Sequence, residues 1–210
     1  MSQSPLGRLA VQPEEVRKDR GTLHTPGEIL QQPSVWRETA RRVTGLTSRA
    51  AELIQGTPSI TITGAGSSLI AGRLMEAAAR TWLRSAITVV SCTDLMFAPE
   101  WYLPARGRGV LLSLSRSGES PEIVEAVRIV QENFKDIAQI AVTCNPAGRL
   151  TRVLEGRKGG LCVTLPERSY DRGMGTTSSV TSTVVAGRYL VGLVNPSGPQ
   201  AYLDRVEILS

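Results

Sequence analysis

One histidine, three cysteines and a thin supply of aromatic residues each remove a class of function from this chain. His24 alone cannot build a histidine-rich metal centre, and no group of His, Cys and carboxylates has the spacing of a metal site. A Ser-His-acid hydrolase is equally short of parts, since a serine, a base and an orienting acid cannot be assembled around one distant His24. Cys92, Cys144 and Cys162 are odd in number and widely spaced in apolar, strand-like stretches. They read as reduced core thiols of a cytoplasmic protein. Aromatics are 4% of the sequence and none alternates with a basic cluster, which argues against a base-stacking platform. Lysine is scarce too: the net charge of +5 rests on 21 Arg with only Lys18, Lys135 and Lys158, scattered without a basic run. No nucleic-acid surface is expected, and residues 1–55 show no helix-turn-helix with a basic recognition helix. With no signal peptide and no long apolar run to read, neither export nor a membrane span is expected.

What is present is a globular composition, 41% hydrophobic over 210 residues, enough to bury a sizeable core. Residues 1–24, polar and broken by Pro5, Gly7, Pro13 and Gly21, read as a flexible arm. Residues 25–56 read as N-terminal helices. A short one starts after Thr25 with Pro26 in its first position and stops before Pro33. A longer one covers 34–55, with Trp36, Ala40, Val43, Ala50, Leu53 and Ile54 as its apolar stripe. From 57 to 210 strands and helices alternate. Strands are predicted at 59–64, 87–90, 109–115, 137–143 and 161–165, and helices at 67–84, 121–133, 146–154 and 177–194, with 94–108 irregular. Strands without polar alternation, separated by helices, indicate a parallel sheet covered on both faces. The expected fold class is α/β, a doubly wound five-stranded parallel sheet in the flavodoxin-like order 2-1-3-4-5.

The chemistry concentrates where strands turn into helices. Leu112-Ser-Leu-Ser-Arg-Ser-Gly-Glu-Ser-Pro-Glu122 passes from apolar strand through a hydroxyl-rich loop into a helix start. Ser120 suits the N-cap and Pro121 the first helical position, so free N–H groups face the loop and attract phosphate. Ser113, Ser115, Ser117 and Ser120 are expected to add hydroxyl donors, Arg116 adds charge, and Gly118 lets the backbone bend close to a ligand. Gly64-Ala-Gly-Ser-Ser68 repeats the pattern after strand one and brings Gly66, Ser67 and Ser68. In the expected strand order these two loops face each other across the crevice where ligands bind. Thr143-Cys-Asn-Pro-Ala-Gly148 and Thr176-Thr-Ser-Ser179 are expected to add polar loops on the same edge, a set that suits a phosphorylated polyol. A dinucleotide-binding domain is the competing reading. Gly64-x-Gly66-x-x-Leu69 lacks the third glycine of that fingerprint, although Asp94 stands where a ribose-binding acid would.

Together, Gly64-Ala-Gly-Ser-Ser68 and Ser115-Arg-Ser-Gly-Glu-Ser-Pro-Glu122 resemble the sugar isomerase (SIS) domain, the phosphosugar-binding module of aldose/ketose isomerases. His24-Thr-Pro-Gly-Glu-Ile-Leu-Gln-Gln-Pro33 with Trp36, Thr143-Cys-Asn145, and Asp171-Arg-Gly-Met-Gly-Thr-Thr-Ser-Ser-Val-Thr181 resemble its tagatose-6-phosphate ketose/aldose isomerase branch, which includes amino-sugar-phosphate deaminases. The resemblance implies that Ser68, Ser115, Arg116, Ser117 and Ser120 hold the sugar phosphate, with Thr177 and Ser178 beside them. Met174 and Gly175 depart from the branch, where an aromatic residue and Ala are usual. Members of the branch carry two SIS domains in tandem, so this chain is expected to correspond to the first. The second would hold most acid/base residues, so the chain is expected to bind a sugar phosphate better than it turns one over.

Aldose/ketose interconversion moves a proton between adjacent carbons through an enediol, so it needs a carboxylate base and a ring-opening acid near a fixed phosphate. Glu167 or Asp171 is the candidate base. His24 is the candidate ring-opening group, donated across a dimer by the arm, or else a surface or helix-start residue. Glu122 reads as a helix-dipole residue and Glu119 as solvated. Expected partners are a sugar phosphate and a second copy of the chain, with no cofactor. A phosphosugar-sensing module without turnover remains the alternative within the same resemblance.

Overall fold

The computed structural model describes residues 4–80, 85–194 and 199–209. Five strands, β1 (Ser59–Gly64), β2 (Ala86–Ser91), β3 (Gly109–Ser115), β4 (Ile137–Thr143) and β5 (Gly160–Thr164), form one parallel sheet in the order β2-β1-β3-β4-β5. This is the expected order, and the predicted bounds of β1, β3 and β4 match. Register places Gly64 opposite Ser91 and Leu114, Ser115 opposite Thr143, and Thr143 opposite Thr164. All five strands therefore end level, and the loops leaving them share one edge.

Both sheet faces are covered, as continuous apolar strands require. Leu112 and Leu114 of β3 pack with Ile60, Ile62, Ile140 and Val142 into one core layer. It is closed by α4 (Thr47–Ile54), α5 (Ser67–Ala79) and α9 (Thr177–Gly192). Leu111 faces the other layer, with Leu95 of α6 (Cys92–Phe97), Ile123 and Val127 of α7 (Pro121–Asn133), and Leu150 and Leu154 of α8 (Arg149–Leu154). A smaller cluster joins Ala40 of α3 (Thr25–Thr44), Val185, and Val206 of α10 (Gln200–Leu209).

Several element boundaries differ from the sequence reading. Residues 5–19 form two short helices, α1 (Pro5–Ala10) and α2 (Glu14–Asp19), with Ser4 capping α1 through Gly7 N–H at 3.0 Å. The helix predicted to stop at Pro33 runs through it. Proline there removes one hydrogen bond, but tertiary anchoring of α3 on α9, including Trp36 Nε1 donating to Thr181 Oγ1 at 2.9 Å, outweighs the loss. The break falls instead at Gly45 and Leu46, so the single helix predicted over 34–55 is the end of α3 plus α4. Residues 94–108, read as irregular, begin inside α6 and include a 3₁₀ turn at Pro99–Trp101. α10 had no predicted counterpart. The last residues of the helix predicted over 67–84 lie outside the described residues. Among the described residues no helix is long and apolar enough to cross a membrane.

Two predictions concern this core. α5 and α9 approach so closely that a Cβ on Gly187 would overlap the Met75 sulfur. Gly187→Ala is expected to lower the unfolding free energy by about 1–3 kcal/mol, read as a lower urea midpoint at constant slope; an unchanged midpoint contradicts the close packing. Burial pushes the Cys144 thiol up from about 9 to about 11. The folded state keeps this thiol neutral while the unfolded chain ionises it, so its contribution is complete below about pH 9 and is lost as pH rises towards about 11. Unfolding free energy should therefore fall more steeply across that window in the wild type than in Cys144→Ala, and equal slopes would contradict the assignment.

Candidate functional site

The site is built on the edge where the strands end. Gly64 closes β1, and a Cβ there would lie 3.0 Å from the Ser68 backbone and 3.1 Å from the Leu114 carbonyl oxygen. Only glycine lets the first loop fold back this tightly against β3. Gly66, with φ of 53°, is the N-cap of α5, and no side chain caps that helix. Ser67 and Ser68 occupy its first turn.

The second loop leaves β3 beside it. Ser115 Oγ accepts from Gly118 N–H at 3.1 Å, and Ser117 Oγ accepts from Glu119 N–H at 3.3 Å. Gly118 has φ of 64°, which glycine adopts without strain. Ser120 is the N-cap of α7, yet its hydroxyl makes no capping bond. Two helix starts, each of a thirteen-residue helix without a side-chain cap, thus open on the same space. That space is a pocket of about 160 Å³ lined by Ala65, Ser67, Ser68, Ser115, Arg116, Ser117, Ser120 and Thr176, floored by Leu114 and Ile123. Its wall is hydroxyls, one guanidinium and the positive ends of two helices, a surface suited to a phosphate dianion.

The other two predicted loops play different parts. The Thr143 loop does not line the pocket; it buttresses the second loop from behind. Thr143 Oγ1 donates to Arg116 O at 3.2 Å, Asn145 Nδ2 to Ser117 O at 2.8 Å, and Leu150 N–H to Gly118 O at 2.9 Å. Glu119, read as solvated, accepts from Arg149 N–H at 3.0 Å at the start of α8. From the fourth loop it is Thr176, rather than Thr177 or Ser178, that reaches the pocket. Ser178 is buried against α3, its Oγ donating to Glu28 O at 2.7 Å and accepting from Gln31 Nε2 at 3.2 Å. Thr177 Oγ1 is buried and has no hydrogen-bond partner among the described residues. The reading missed Thr176 by one residue because a helix start within a run of Thr and Ser carries no unique N-cap signal.

The candidate acid/base residues separate. Asp171 is 3% exposed. Its carboxylate accepts from Ser178 N–H at 3.1 Å, Ser179 N–H at 2.8 Å and Ser179 Oγ at 2.7 Å. These three bonds tie the Asp171 carboxylate to the start of α9. His24 and Glu167 line a second cleft of about 470 Å³, together with Glu28 and Tyr170. The His24 side chain makes no capping bond to α3. Arg116 joins the two cavities: it lines the serine pocket, its guanidinium lies 5.6 Å from the ring centroid of Tyr170, and Nη1 donates to Asp171 O at 3.4 Å. Glu28 was not legible as a site residue. It lies in the first turn of α3, and its side chain reaches across to the 171–176 segment. Among the described residues no three His, Cys, Asp or Glu side chains gather as a metal site.

Comparisons with known proteins bear on the family. No protein-family model matches the chain. It is 32% identical to D-galactosamine-6-phosphate deaminase AgaS of Shewanella sp. (strain ANA-3) over 173 residues, covering 79% of this chain and 45% of that protein. It is 30% identical to the protein of the same name from Escherichia coli O157:H7, covering 77% of this chain and 44% of that one. Among solved structures, tagatose-6-phosphate ketose/aldose isomerase from Escherichia coli superposes with a TM-score of 0.76 at 26% identity, over 87% of this chain and 50% of that chain. The chain thus spans about half the length of the relatives it matches. Sheet order, paired Gly-Ser loops and these similarities together place the chain in the sugar isomerase (SIS) domain family, on the branch of tagatose-6-phosphate ketose/aldose isomerase and AgaS.

Proposed function

We propose that the chain is the phosphosugar-binding domain of a sugar-phosphate aldose/ketose isomerase or amino-sugar-phosphate deaminase. The observation that carries this reading is the pair of helix starts without side-chain caps, α5 and α7, opening on one serine-lined pocket beside Arg116. Ser67, Ser68, Ser115, Ser117, Ser120 and Thr176 supply hydroxyls to the phosphate, and Arg116 supplies charge. The carbon chain then runs past Arg116 and Tyr170 towards the cleft, where His24 serves ring opening and Glu167 accepts the proton moved between adjacent carbons. A pocket of about 160 Å³ has little room for a dinucleotide, which weighs against that reading. Turnover separates an enzyme domain from a sensing module that uses the same pocket. The free thiols Cys92, Cys144 and Cys162 fit a reducing, cytoplasmic setting for such metabolism.

Self-association belongs to the same proposal. An apolar groove of about 450 Å³ runs between α3, α5, α9 and α10, with Trp36, Val184, Tyr202 and Val206 in its wall. Ile70 and Leu74 of α5 are 59% and 54% exposed. A continuous apolar surface of this kind is lowered in free energy by covering it with a second copy.

Ser117→Ala is expected to weaken binding of galactosamine 6-phosphate or tagatose 6-phosphate about tenfold, since one hydrogen bond to a charged ligand is lost. Titration calorimetry measures this, and equal affinities would remove Ser117 from the site. Light scattering is expected to show a dimer that Leu74→Glu converts to monomer; a wild-type monomer at high concentration refutes self-association through this groove.

A further inference from the structure

The segment between Asp171 and α9 carries Thr176 to the phosphate pocket, yet little in its own sequence fixes it. It contains Gly173 and Gly175, and Met174 at its tip is 98% exposed. Thr176 nevertheless holds a left-handed turn, φ 44° and ψ 52°, and is the one non-glycine residue with positive φ among the described residues. A β-branched residue in that region is strained and persists only where its surroundings over-determine it. On its C-terminal side the surroundings are clear: Asp171 takes the N–H groups of Ser178 and Ser179 and fixes the start of α9. On the N-terminal side, beyond the Arg116 bond to Asp171 O, the backbone N–H groups of residues 172 and 173 donate to one carboxylate on another element. Glu28 of α3, 9% exposed, accepts from Arg172 N–H at 2.7 Å and Gly173 N–H at 2.9 Å, both at Oε1.

The rest of α3 repeats the grip. Ser178 Oγ donates to the Glu28 carbonyl at 2.7 Å, and Gln31 Nε2 donates to Arg168 O at 2.8 Å. Gly173 fits so closely that a Cβ would lie 2.7 Å from Glu28 Oε2 and 2.7 Å from Thr25 Oγ1. Backbone N–H groups bonded to a carboxylate form strong, directional contacts, so this is a defined geometry rather than general packing.

We propose that Glu28 is a positioning residue for the phosphosugar pocket: its carboxylate holds the 171–176 segment so that Thr176 keeps its left-handed turn against the ligand. The proposal rests on the phosphosugar reading of that pocket. Glu28 is absent from the lining of the serine pocket and acts on its phosphate through the segment. Its role requires an acceptor oxygen at Oε1 rather than a negative charge, so glutamine substitutes for it and alanine does not.

The test uses the full chain with galactosamine 6-phosphate as probe, read by calorimetry and by amide hydrogen exchange. Glu28→Ala should lower affinity on the order of ten- to a hundredfold, as misplacement of a binding group does, and should speed exchange across 172–176 while residues 115–120 stay protected as in the wild type. Glu28→Gln should restore both affinity and protection. Should Glu28→Ala fail to fold, Gly173→Ala displaces the segment from the opposite side and is expected to show the same paired effect. Wild-type affinity in Glu28→Ala, equal impairment in the alanine and glutamine variants, or faster exchange spread evenly over both loops would each overturn the proposal. A wild-type chain that binds no sugar phosphate refutes the functional reading, and the exchange measurement then still decides whether Glu28 holds the segment.

Discussion

The register between β1 and β3 is the constraint on which the rest of this structure depends. Gly64 ends β1 opposite Leu114, so the loops into α5 and α7 leave the sheet at the same height. Shifting either strand by two residues, the smallest slip that keeps its core face inward, would move one helix start away from the other by roughly 6–7 Å. The pocket exists because the core fixes that register. Ile60 and Ile62 must pack beside Leu112 and Leu114, and satisfying the core leaves the two Gly-Ser loops in opposition. The packed core and the pocket are two outcomes of one alignment.

Around that pair the chain divides labour between groups that face the ligand and groups that hold them. Serine hydroxyls and Arg116 face the pocket, while Thr143, Asn145 and Leu150 stand behind the second loop and fix its carbonyls. Asp171 and Glu28 are both carboxylates near the site, and both spend acceptor oxygens on backbone N–H groups. Acidic residues beside an anion pocket weaken it unless their charge is turned towards donors. Here that charge faces the start of α9 and the segment before it, leaving Arg116 as the charged side chain in the pocket wall.

Local signals made most of the fold and the pocket legible. Apolar runs bounded by Gly, Pro and Ser mark β1, β3 and β4, and Ser120-Pro121 marks the start of α7. What escaped was decided by contacts distant in sequence. Pro33 is a strong local stop, overridden because α3 lies along α9. The Thr143 loop looks like a ligand loop from its composition, and only the neighbouring loop's position shows that it is a brace. Asp171 is the exception, since the donors that tie it to the start of α9 are only seven and eight residues away. His24 and Glu167 share a cleft because α3 packs against the turn at Glu167–Ser169, which no local pattern encodes.

The contact between Glu28 and the 171–176 segment also bears on when the protein becomes competent. Its partners lie 144 and 145 residues apart along the chain. The β1 and β3 loops can meet once the first half of the sheet is formed, but a nascent chain lacking residue 173 cannot close this grip. Contacts of such separation carry a large loop-closure entropy and form late. The pocket wall nearest Thr176 thus depends on a contact that only a chain complete from α3 to the start of α9 can make.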